Sequence, residues 1–109
     1  MVKSIYYLKF LQIGGLRALN NRKYLEILDG KLNVIGQNIK KTRESQNLSR
    51  QYVSDRLMNV GIDISAHALY EIEIGKRTII DYEIAAIAKI LNTTSDNLMK
   101  DIYEYLENI

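Results

Sequence analysis

The stretch that decides the fold is residues 48–77, LSRQYVSDRLMNVGIDISAHALYEIEIGKR, in which two short helical patterns each open on a serine. In the first, Ser49 is positioned to accept from a free amide of the next turn, and Val53 and Leu57 follow at the i, i+4 spacing that puts both on one face. This predicts a helix over residues 50–58. In the second, Ser65 is the cap, Leu69 and Ile72 form the stripe to be buried, and Gly75 sits where a left-handed residue ends a helix. This predicts a second helix over residues 66–74. Between them Asn59, Gly61 and Asp63 break the period, and Gly61 is free to take the positive φ that a sharp reversal needs. Two helices should meet there at an angle.

Working outward, residues 34–46 place Ile35 and Ile39 on an apolar face and Gln37, Lys40, Lys41, Arg43 and Glu44 on a solvated one, with Asn33 as cap. That is an amphipathic first helix. Downstream, Ile84, Ala88 and Leu91, flanked by Ala85 and Ile87, form a nearly all-apolar helix for the centre of the core, with Asp81 as its cap and Glu83 in its first turn. Thr94 then caps a last helix whose apolar residues, Leu98, Met99, Ile102, Tyr103, Tyr105, Leu106 and Ile109, cover more than one face. One face packs on its own domain and the other is left for a partner. With no proline, few glycines and at most two strand-like runs, the chain reads as an all-α bundle.

The order of these signals resembles the Cro/repressor-type (XRE-like) helix-turn-helix family, whose members carry Leu-Ser-Gln before the first helix of the motif and Ile-Ser…Ile-Glu-x-Gly-x-Arg around the second. The matching residues are Leu48, Ser49, Ile64, Ser65, Ile72, Glu73, Gly75 and Arg77, and residues 81–91 (DYEIAAIAKIL) and 94–98 resemble the fourth helix and the start of the fifth. The resemblance covers residues 34–98. It implies a compact five-helix lambda-repressor-like bundle over residues 33–109, after an N-terminal extension, residues 1–32, of uncertain structure. Two features depart from the family pattern. Residues 65–74 hold two glutamates and no lysine or arginine, so phosphate attraction must come from elsewhere. The segment from Leu57 to Ser65 also exceeds the tight family turn, so the first helix of the motif extends or the loop bulges.

In such a motif the first helix lies across the DNA backbone and the N-terminal part of the second enters the major groove. Carried over position by position, the groove-facing candidates are Ala66, His67 and Tyr70. His67 can donate or accept toward base edges and Ala66 offers a methyl contact to thymine. Arg50, in place of the family's glutamine, is a candidate for phosphate or guanine, and Gln51 is a second polar candidate. Lys76 and Arg77 are set to meet phosphates, which fix register rather than sequence. Arg77 has an alternative, a bond to Glu73 or to backbone that holds the loop. Ser65 is a cap, and its helix N-terminus can also donate amides to a phosphate.

Length and composition bound the function. At 109 residues, 47% of them hydrophobic, the chain suits one domain with a core that needs no metal or disulfide. It has no cysteine, which removes disulfides and thiolate metal sites and fits a reducing cytoplasm. The longest apolar run, residues 5–13, is interrupted by Lys9 and Gln12 and falls short of the ~20 residues that span a bilayer. No membrane partner is expected, nor a signal peptide, since no small-x-small cleavage site is seen. The net charge of +2 is unevenly spread: residues 1–30 and 31–80 each carry +3, and residues 81–109 carry −4.

Catalysis has little to work with: one histidine, no cysteine, no glycine-rich phosphate loop and no paired metal ligands. No enzyme activity, cofactor or small-molecule ligand is expected. The reading that follows is a sequence-specific DNA-binding transcriptional regulator, cytoplasmic, acting on double-stranded DNA as a homodimer. The alternative is a protein-interaction module on the same fold with weak or no DNA binding. Its docking surfaces would be the acidic last helix and the tyrosine-containing residues 1–30, where Tyr6, Tyr7, Phe10 and Leu11 make a sizeable apolar surface. Residues 1–30 themselves read as a strand or short helix followed by a helix.

Overall fold

Serine caps start the two central helices where local hydrogen bonding requires. The computed structural model describes residues 25–109 of the chain. Their helices are α1 (Gly36–Ser45), α2 (Arg50–Asn59), α3 (Ala66–Glu73), α4 (Asp81–Ile90), α5 (Ser95–Leu98) and α6 (Lys100–Tyr105), preceded by a 3-10 turn at Glu26–Leu28. Among the described residues there is no strand. Ser49 Oγ accepts from Tyr52 N at 3.0 Å and Ser65 Oγ from Ala68 N at 3.0 Å, satisfying an amide that each helix start would otherwise leave bare. Gly61 and Gly75, both at φ 82°, take the left-handed conformations that close α2 and α3. The segment between the two helices is used partly by one further residue of α2 and partly by a loop whose Ile64 is fully buried.

The core forms where the apolar stripes of four helices converge. Ile35 precedes α1 and Ile39 belongs to it, Val53 and Leu57 come from α2, Leu69 and Ile72 from α3, and Ile87 and Ala88 from α4; Leu91 and Leu98 close the far side. Each large side chain so buried contributes roughly 1.5–3 kcal/mol relative to exposure. α3 packs on both α1 and α2, and α2 also packs on α4, so α3 is held from two directions. At the α1–α3 crossing the backbones nearly touch. A Cβ on Gly36 would meet the carbonyl oxygens of Ile72 and, at 3.0 Å, of Glu73, so only glycine fits.

Three expectations are corrected, and that for Asn33 is refined. Arg43 is buried, not solvated, because its charge is matched by a carboxylate from α3. Asn33 caps α1 from further upstream than a usual cap: its Oδ1 accepts from Ile35 N at 3.1 Å and Gly36 N at 2.7 Å. Its amide also donates to Ile72 O and Arg77 O, both at 2.9 Å, tying the start of α1 to the end of α3. Asp81 is the first residue of α4 rather than its cap; the carboxylate of Glu83 accepts from Ile80 N at 3.1 Å instead.

The expected last helix is broken at Met99 into α5 and α6. Thr94 caps α5 as expected, accepting from Asn97 N at 3.0 Å. At the break Asn38 of α1, a buried amide, donates to Leu98 O at 2.9 Å, the carbonyl that a continuous helix would offer to Ile102 N. Ile102 N bonds to Met99 O instead.

Part of the expected extension belongs to this body. Leu28 is buried, and Leu32 N donates to Gly75 O at 2.8 Å. The elements expected within residues 1–24, with their apolar Tyr6, Tyr7, Phe10 and Leu11, lie outside the described residues. No described helix is long and apolar enough to cross a membrane.

Candidate nucleic-acid interface

Glu73, the last residue of α3, is the point at which three helices are joined electrostatically. Its side chain is fully enclosed, and its two oxygens accept from Arg43 Nε at 2.7 Å, Arg43 Nη2 at 3.1 Å and Arg50 Nε at 2.8 Å. A buried carboxylate is tolerated only with such matching, since burial alone would cost several kcal/mol. Arg43 is satisfied in turn: Nη1 donates to Leu48 O at 2.8 Å. The hydrogen bond to Glu73, acting against burial, raises the Arg43 pKa above its ordinary value, so this guanidinium keeps its charge at every pH at which proteins are usually handled. Ser54 Oγ of α2 donates to Ile64 O at 2.6 Å and fastens the connecting loop.

The other end of α3 is open. His67 has a side chain 78% exposed, and Tyr70, one turn on, is also exposed. Their rings lie 6.0 Å apart, and His67 Nε2 is a loose 3.8 Å from Glu71 Oε2. Ala66 is half-buried, and Ser65 is exposed with its hydroxyl committed to the cap. The guanidinium of Arg50, at the start of α2, lies over the Tyr70 ring, 5.2 Å from its centroid. Beside it Gln51 is exposed, its amide donating to Asp55 at 2.8 Å. Arg50, His67 and Tyr70 therefore form one contiguous group.

The two cations after α3 differ. Lys76 is exposed and, among the described residues, its ammonium has no ion-pair partner. Arg77 is half-buried and leans on Glu83 at 3.3 Å and on Thr78 O at 3.3 Å. The alternative Glu73–Arg77 pairing is not formed, because Glu73 turns inward to Arg43 and Arg50. Glu71 and Glu73, two apart, point in different directions as helical spacing requires.

Sequence reasoning missed Arg43, whose i, i+4 spacing from Ile39 put it on the buried face but whose partner, 30 residues away, leaves no local signal. It also missed the exposed pair Tyr52 and Arg56, with the guanidinium 5.5 Å from the ring centroid. Their i, i+4 spacing was a readable signal for that contact. Among the described residues no three metal-ligating side chains cluster. Compared with family models, with curated proteins and with solved structures, the chain matches none.

Proposed function

We propose that this protein is a sequence-specific DNA-binding transcriptional regulator of the Cro/repressor type, in which α2 and α3 act as a helix-turn-helix and α3 enters the major groove. One observation carries the reading: α3 is bolted at its C-terminal end by the buried Glu73 network, while His67 and Tyr70 stand exposed near its start beside Arg50 and Gln51. A helix that reads bases needs such a rigid base and such a free polar tip. Ala66 and His67 face base edges, the free amides after Ser65 favour a phosphate, and Lys76 adds a phosphate contact that sets register. Arg77 joins it by exchanging its long contacts to Glu83 and Thr78.

The test is titration of mixed-sequence duplex DNA by fluorescence anisotropy across a salt series. Binding should weaken linearly in log–log form, by about 0.9 of a unit for each phosphate neutralised. Absence of binding at low salt removes this reading. The protein-interaction alternative then leads, and it has its own support: Tyr103, Leu106 and Ile109 are exposed beside Asp101, Glu104 and Glu107. In the DNA reading the same surface serves a homodimer, which a two-fold operator requires.

A further inference from the structure

Arg50 combines two restraints that a simple phosphate contact does not need. Its Nε is tied to Glu73 Oε1 at 2.8 Å, and Glu73 cannot follow it outward because Arg43 holds the same carboxylate inside the core. Its guanidinium carbon lies over the Tyr70 ring, 5.2 Å from the centroid. One edge of the guanidinium is thus tied and one side rests on an aromatic ring, which leaves the end-on edge with its two amino groups. Among the described residues nothing accepts from these groups, and the side chain is 33% exposed.

We infer that Arg50 is a specificity residue that reads a guanine through this end-on fork, with Tyr70 and Glu73 as the residues that position it. The inference rests on the DNA-binding reading of α3. Two parallel N–H donors match the O6 and N7 acceptors of guanine in the major groove. A phosphate would also accept from this fork, since Arg43, Arg50 and Glu73 together carry one net positive charge. Orientation decides for the base: a phosphate takes a lysine in any rotamer, whereas a base edge needs a fixed plane. The Tyr70 ring that supports Arg50 also neighbours His67, so the fork belongs to the group that reads bases in the DNA-binding reading.

The experiment is selection of bound sites from a random duplex pool by the full chain and by Arg50→Met, Tyr70→Phe and Tyr70→Ala. Anisotropy titration of the enriched duplex, and of the same duplex with each guanine changed to adenine, follows. The wild type should lose roughly 5- to 150-fold in affinity at one guanine. Arg50→Met should be indifferent to that change, Tyr70→Phe should keep the preference because it keeps the ring face, and Tyr70→Ala should lose it. Superimposable circular-dichroism melts establish that the variants are folded. If Arg50→Met and the wild type enrich the same sites, or Arg50→Met binds all duplexes equally more weakly, the guanine assignment is wrong while the DNA reading stands. If the wild type enriches nothing and shows no salt-dependent binding, both fall.

Discussion

Replacing Glu73 by glutamine keeps the shape of the side chain and removes one charge from the point where α1, α2 and α3 are joined. Arg43, only 8% exposed, is left without its counter-charge, while Arg50, at 33%, can turn to water. Breaking a buried pair from one side costs about 3–5 kcal/mol, against a total stability of about 5–15 kcal/mol for a domain. With a urea slope of about 1.5 kcal/mol/M, the unfolding midpoint followed by far-ultraviolet circular dichroism should fall by roughly 2–3 M. The double variant Arg43→Met, Glu73→Leu should be more stable than Glu73→Gln, because it removes the stranded charge along with its partner. It still loses the Arg43 bond to Leu48 O, a cost of about 1 kcal/mol. A loss below about 1 kcal/mol for Glu73→Gln, or a double variant no more stable than Glu73→Gln, refutes the view that this network bolts α3 in place.

Gly36→Ala should cost about 1–3 kcal/mol, since its new methyl meets the backbone of α3, and lower the melting temperature by at least roughly 5 °C; an unchanged melt means α1 and α3 are not in this close contact. Leu69→Ala and Ile72→Ala, each fully buried, should each cost about 2–5 kcal/mol in denaturant titrations, and a loss under about 0.5 kcal/mol in either would show α3 rotated from its described position. Sedimentation of the full chain should give a dimer, since Tyr103, Leu106 and Ile109 leave apolar surface uncovered; a monomer at tens of micromolar contradicts it.

What sequence made legible was whatever local spacing controls. The start of α2 and α3, their serine caps, the stripe of Leu69 and Ile72, and the left-handed Gly61 and Gly75 all follow from residues within one or two turns of each other. Contacts made across the fold were not legible. Arg43 continues the i, i+4 spacing of Ile35 and Ile39, so the face was readable, but the carboxylate from a separate helix that lets a charge be buried there was not. The break at Met99 is likewise accompanied by a contact from across the fold, an asparagine 60 residues earlier that donates to the Leu98 carbonyl. For the candidate interface, the family resemblance, carried over position by position, brought out His67, Tyr70 and Arg50 as separate polar positions. That Arg50 rests on Tyr70 and hangs from Glu73 required the packing of α2 on α3.

The central claim is that the start of α3 reads bases while the cation beyond its end only positions the protein. It is tested most directly by comparing His67→Ala and Lys76→Ala on the preferred duplex and on random duplex across a salt series. His67→Ala should cost about 1–3 kcal/mol on the preferred duplex, with little effect on random DNA. Lys76→Ala should weaken both alike and flatten the salt slope by about one unit. If His67→Ala weakens both duplexes equally, or neither, the exposed start of α3 does not face the bases and the account is contradicted.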